Sequence, residues 1–308
     1  MSLAAGMGAP GGARGAPAAA ALNTAGLRQD ERAERRMLAL LCAPGMLVVL
    51  LLLFLPIGWL FWFSVIDGAG TFTAENYARI WHGGAYVAIF VTTFEISLLV
   101  TAICLVLGYP LAYCLSQLPS RLAGILLLGV LVPFWTSLLV RTYAWLVLLQ
   151  RKGLVNDLLV ALGLTDQPLM LVHNTLGVII GMTHIMLPFL VLPLYVSMRA
   201  IDPLLMKAAA SLGGRPAAAF WTVFFPLSLP GLVAGLVLTF ILCLGFYVTP
   251  AILGGGRVQF ISQRIYASVS LFPTWGPASA LGVVLLMLTG AVLLLSHALL
   301  KRWRQHLG

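Results

Sequence analysis

Long apolar runs alternate along this chain with short polar breaks. A helix needs about 20 apolar residues to cross the hydrocarbon core of a bilayer. Runs at 37–65, 87–115, 122–149, 176–198, 229–253 and 278–300 reach that length. The pattern predicts six membrane-spanning helices and an all-α, polytopic fold. The breaks differ in character. Residues 67–86 are polar and Gly-rich, and 254–277 form a last loop. Between 151 and 172 the piece LVNDLLVALGL is too short to cross and reads as an interfacial or re-entrant helix. Residues 1–36 read as a tail: an Ala-, Gly- and Pro-rich stretch expected to be disordered, then a charged, helical juxtamembrane segment from Arg28 to Arg36. A basic start followed soon by an apolar core, as a signal peptide requires, is missing there. Residues 305–308 read as a short C-terminal tail.

One break is built differently from the rest. Residues 201–232 read IDPLLMKAAASLGGRPAAAFWTVFFPLSLPGL. Asp202 can cap a helix N-terminus and Pro203 suits its first turn. Leu204, Leu205, Ala208 and Leu212 recur at helical spacing. Gly213-Gly214 can stop that helix, because glycine adopts positive φ without steric cost. A second short helix is expected from Pro216 to Phe225, ending before Pro226. The whole reads as a helix-turn-helix at the membrane edge.

Composition agrees with a membrane protein. Hydrophobic residues make up 61% and charged residues only 9%, against about 25% charged in soluble domains. The net charge of +9 could suggest nucleic acid. The basic residues, however, are dispersed at span ends and form no stripe with interleaved aromatics, so they bear on orientation. With the N-terminus cytoplasmic, Arg28, Arg32, Arg35, Arg36, Arg121, Arg199, Lys207, Arg215, Lys301, Arg302 and Arg304 face inward with Arg14. Arg79, Arg141, Arg151, Lys152, Arg257 and Arg264 then lie outside or at outer span ends. Both termini and the 201–232 loop are expected in the cytoplasm. Cys42, Cys104, Cys114 and Cys243 all fall in apolar runs and read as packing residues, with no metal-ligand spacing. Pro56, Pro110, Pro133, Pro188 and Pro193 mark kinks, of use either to a switching bundle or to a fixed shape.

The 201–232 loop carries a family resemblance. Ala208-Ala209 is followed after three residues by Gly213, and after nine more by Val223, Phe224, Phe225 and Pro226. That spacing resembles the cytoplasmic loop of permease subunits in binding-protein-dependent ABC importers. In the family the loop docks into the ATP-binding subunit, and a Glu usually stands where this chain has Lys207. FTAENYARIW at 72–81 resembles the short external segment common in that family, and LGYPLAY at 107–113, PFWTSLLVRTYAW at 133–145 and YVTPAILGG at 247–255 are similar to the spermidine/putrescine-type branch. The resemblance covers about 37–304. It implies the six-helix type I importer permease fold over those residues, with coupling loop 201–232. It also implies import of a small solute such as a polyamine across the inner (plasma) membrane, with no cofactor. The implied partners are a second permease subunit in a heterodimer, two ATP-binding subunits and a periplasmic solute-binding protein. Carried over residue by residue, Asp202, Lys207, Ala208, Ala209, Gly213 and Pro226 would couple this chain to the ATPase.

Candidate chemistry is sparse. Lys152, Lys207 and Lys301 are followed by Gly, Ala and Arg, so the chain lacks the phosphate-binding G-x-x-x-x-G-K-[ST]. Neither H-E-x-x-H nor G-x-S-x-G occurs, and no enzyme activity is expected. Ionisable residues inside spans are costly and so become candidates. Glu95 and Arg141 lie in the outer parts of adjacent antiparallel spans. They could form a mutual salt bridge, or line a translocation pathway. His184 could be a hydrogen-bonded core residue or a proton carrier. Trp135, Tyr143, Trp145, Phe246 and Tyr247 cluster near the outer ends. They could hold an organic cation on their faces, or anchor the helices at the interface, which is the reading for Trp145. An ion-coupled secondary transporter relying on Glu95 and His184 is the alternative from another class, and it leaves the Ala-Ala-Gly loop without a role.

Overall fold

A computed structural model describes residues 16–307, with the side chains of 34, 36–298, 301 and 302. Residues 1–15 of the expected tail lie outside the described residues. The chain divides into two compact units, one ending at Trp59 and the other beginning at Leu60.

The described residues of the first unit form one helix, the N-terminal part of α1 (Ala16–Val65). It begins inside the stretch expected to be disordered. Ala18 to Ala21 have the highest helix propensity, and Pro17 falls in the first turn, where its missing N–H costs nothing. From Met46 to Leu55 α1 is apolar on every side, as a spanning helix is.

Among the described residues of the second unit the regular structure is helical, apart from an isolated antiparallel bridge between Ile66 and Phe72. It comprises α2 (Glu75–His82), α3 (Gly84–Gln117), α4 (Ser120–Trp135), α5 (Leu138–Leu148), α6 (Leu154–Ala161) and α7 (Thr175–Arg199). Then follow α8 (Pro203–Ser211), α9 (Pro216–Ala219), a π-helical turn (Phe220–Phe224), α10 (Phe225–Leu244), α11 (Val248–Leu253), α12 (Ile261–Leu271) and α13 (Gly276–Leu307). Helices α3, α7 and α10 pack on one another as the centre. Their contact is close because glycines stand at the crossings: a Cβ on Gly231 would collide with Ser197, and one on Gly108 would lie 2.7 Å from Leu190. Val100, Cys104, Met182, Met186, Leu190, Cys243 and Leu253 fill the core between them. Cys104 and Cys243 are packing residues as expected, whereas Cys42 and Cys114 are exposed.

Among the described residues five helices are long and apolar enough to cross a membrane, and a bent pair would make a sixth if it counts as one span. The runs at 87–115, 176–198 and 278–300 fall within α3, α7 and α13. The third expected span is not one helix: α4 and α5 meet at 95°. Thr136 and Ser137 are both extended there, and the Thr136 hydroxyl donates to the Pro133 carbonyl at 2.6 Å, closing α4. The fifth span also differs. Apolar helix of mixed α and π type is continuous from Pro216 to Leu244, so the helical run does not end before Pro226. The π turn opens the backbone just ahead of it, with the Phe225 N–H bonding to the Phe220 carbonyl. That wider turn accommodates a proline that would break a regular α-turn.

Candidate functional site

The elbow between α7 and α10 follows its sequence closely at both ends of α8. Asp202 accepts from the Leu204 N–H at 2.8 Å as N-cap, and Pro203 occupies the first turn. At the other end Gly213 has φ +82°. The Gly213 N–H reaches the Ala210 carbonyl and the Gly214 N–H the Ala209 carbonyl, each at 3.0 Å. This pair of bonds is the Schellman arrangement, which needs a left-handed residue at Gly213. Helix α8 has no buried residue. Lys207 and Ala208 are exposed and Ala209 half-buried, and Leu204, Leu205 and Leu212 are 64%, 45% and 90% exposed. The apolar side anticipated from periodicity is therefore free of this chain. Pro226 is half-buried, within α10.

Below α8 the elbow is held by aromatic packing that sequence reasoning missed. Phe220 and Phe224 meet the Tyr113 ring edge-on at 5.4 and 5.1 Å. Tyr109 contacts Phe220 and Phe225, and its hydroxyl lies 3.1 Å from the Ser228 Oγ. Rings four residues apart on two helices, Tyr109/Tyr113 and Phe220/Phe224, were the available signal. Arg199 was also missed. It donates to the Ser116 and Leu118 carbonyls and to the Ser120 hydroxyl.

Near the opposite end of α7 lies a polar cluster. The Trp145 indole N–H donates to His184 Nδ1 at 3.2 Å, so the neutral ring carries its proton on Nε2. Trp145 is thus turned toward the bundle, where it packs against the core cluster, and His184 is half-buried and hydrogen-bonded to it. Arg141 is half-buried, lies within electrostatic reach of His184, and has a buried Nε without a hydrogen-bond partner. The Thr142 and Thr249 hydroxyls are 3.2 Å apart and join α5 to α11. Phe246 is half-buried against the core, and Tyr247 contacts Tyr266 at 5.6 Å. Tyr143 and Trp135 are 54% and 87% exposed.

Glu95 does not join this cluster. Among the described residues the ion pair present is Arg79–Glu75, so of the two readings for Glu95 and Arg141 the mutual bridge is not formed. Glu95 is exposed and lines a groove of about 760 Å³ between α2, α3 and α13, walled by Tyr77, Trp81, Phe90, Phe94, Val284 and Leu288. Among the described residues it is the groove's one charged side chain. The physical reason is helical phase: its neighbour Ile96 is buried in the core that Trp145 packs against, which turns Glu95 away from it.

No family model matches the chain. The spermidine/putrescine transport system permease protein PotB of Salmonella typhimurium (strain LT2) is 35% identical over 224 residues, 73% of this chain and 78% of the relative. PotB of Escherichia coli K12 is 34% identical over 223 residues, 72% and 81% respectively. Among solved structures, a bacterial ABC transporter that imports the acidic polysaccharide alginate aligns with a TM-score of 0.68 at 16% identity, over 90% of this chain and 98% of that one. That likeness is one of fold.

Proposed function

The chain belongs to the permease subunits of binding-protein-dependent ABC importers, in the spermidine/putrescine-type branch, and from that premise we propose that it forms part of an import pathway for a polyamine. It is a multi-pass inner-membrane protein. Its elbow at 201–232 is the piece gripped by an ATP-binding subunit. The observation that carries this reading is α8, capped at both ends by its own sequence yet burying none of its residues. A helix so fixed, with leucines facing outward, is a surface awaiting a partner.

In this reading the elbow and both termini are cytoplasmic, and ATP hydrolysis is carried by two separate ATP-binding subunits. A second permease chain completes the pathway and a periplasmic binding protein delivers the solute. Coupling is carried by Asp202, Lys207, Ala208, Ala209, Gly213 and Pro226. Glu95, Trp135, Arg141, Tyr143, Phe246 and Tyr247 are the pathway candidates. An ammonium group suits Glu95, since an ionised carboxylate at membrane depth is costly without a counter-charge.

Uptake of radiolabelled spermidine or putrescine into vesicles tests the proposal. The assembled importer should accumulate it only with ATP on the elbow side, and Glu95→Gln should lower uptake about tenfold, as losing a charge-assisted contact would. Uptake by this subunit alone, driven by a proton gradient, would instead favour ion-coupled transport.

A further inference from the structure

No residue of α8 is fully buried, and among its apolar side chains Met206 alone is half-buried against the cluster around Met198 and Phe224, so α8 packs weakly on the bundle along its length. A cavity of about 270 Å³, lined by Ser116, Met198, Asp202, Met206 and Phe224 among others, also lies beneath its first turn. The firmer ties lie at the two ends of the elbow. At one end Arg199, the last residue of α7, sends Nη1 to the carbonyls of Ser116 (2.7 Å) and Leu118 (2.9 Å) and Nη2 to the Ser120 Oγ (2.8 Å). Ser116 is in the last turn of α3, and its carbonyl is one that a helix leaves without an internal partner. Arg199 therefore caps α3 from a different helix. At the other end Phe220 and Phe224 clasp Tyr113, also on α3. Both grips fall on a span that is not covalently joined to the elbow.

We propose that Arg199 is a positioning residue that ties α3 and the α3–α4 turn to the elbow, so that three spans follow the ATP-binding subunit rather than only the attached α7 and α10. The inference rests on the coupling reading of the elbow given above. A guanidinium suits the task because its planar fork holds several donors in fixed directions; a lysine ammonium offers a flexible point charge.

The test uses the complete importer in proteoliposomes and reads solute imported per ATP hydrolysed, together with the yield of assembled complex. Arg199→Gln should lower that ratio about tenfold, Arg199→Lys less, and Ser120→Ala about twofold, following the number of charge-assisted bonds removed. A residue that only holds the fold would reduce yield and leave the ratio in surviving complexes unchanged, and that result overturns the proposal. Should Arg199→Gln fail to assemble, Ser120→Ala decides, since it deletes a single hydroxyl at an exposed turn; an unchanged ratio there also overturns it. Gly213→Trp is measured alongside. If it couples normally, the elbow reading itself has failed. If it uncouples while the Arg199 variants do not, only the Arg199 relay has failed.

Discussion

A Cβ added at Gly213 would meet no neighbour, so this glycine is required for its backbone rather than for space within the chain. At φ +82° an L-residue crowds its own carbonyl at a cost of about 1–2 kcal/mol. Gly213→Ala should therefore fray the end of α8 and reduce transport-coupled ATPase activity, while Gly213→Asn, whose side chain tolerates this region, should lose less. Equal activity of the two would mean that the left-handed turn is not what docking needs. Lys207 makes a different argument. Its side chain is exposed and has no carboxylate partner among the described residues, in a position where the family usually has an acid. Lys207→Glu should raise binding-protein-stimulated ATPase activity about two- to fivefold, the scale of one exposed ion pair; no change would mean that α8 docks by shape. Asp67 supplies a pH dependence outside the spans. Its carboxylate accepts from the Thr71 hydroxyl at 2.6 Å and from the Thr71 and Ala69 N–H groups, and these bonds, the Thr71 hydroxyl foremost, hold its pKa below the usual value. A lowered pKa means that the turn is stabilised above the unfolded value of about 3.9 and loses this support as pH falls through the folded one. Amide exchange at Ala69 and Thr71 should accelerate below that range in the native chain, whereas Asp67→Asn should show no such step.

The elements show which parts of the fold a sequence makes legible. Apolar length is a sum over many residues, so α3, α7 and α13 could be located without knowing what they touch. The caps of α8 were equally legible, because Asp202-Pro203 and Gly213-Gly214 act on their own backbone. The break between α4 and α5 depends on two extended residues, Thr136 and Ser137, inside a run whose hydropathy gives no warning. The start of α10 was misread for a related reason: Pro226 stops a regular helix, but a π turn ahead of it removes the clash. Arg199 on Ser116 and Trp145 on His184 join residues far apart in the chain, and their partners depend on how the helices cross. The π turn is open to test. Pro226→Ala restores an N–H that can bond to the Thr222 carbonyl, which favours an ordinary α-turn and would rotate Phe220 and Phe224 away from Tyr113. Thermal stability should then change by no more than about 1 kcal/mol, while uptake falls. Loss of stability with uptake per folded molecule preserved would assign the π turn to packing alone.

On the scale of the whole molecule, orientation decides whether the elbow can do what is proposed for it. Basic residues near span ends are retained on the cytoplasmic side, and the cluster from Arg28 to Arg36 directly precedes the first span. Fixing that end inside sets the sense of every later crossing, provided α4 and α5 together count as one. Were the bent pair instead to enter and leave by the same face, α7 would run the other way and α8 would emerge outside. Cysteine labelling separates the two arrangements. Cys42 and Cys114 are exposed, so both are replaced to exclude background labelling, whereas Cys104 and Cys243 are buried. In that background Ser211→Cys, in the elbow, and Gln167→Cys, between α6 and α7, are both exposed positions on opposite sides of the α7 span. In right-side-out vesicles an impermeant maleimide should label Gln167→Cys at once and Ser211→Cys only after the membrane is opened. The reverse pattern would put α8 out of reach of any cytoplasmic ATPase, and would show that the bend at Thr136 turns the chain back instead of carrying it across.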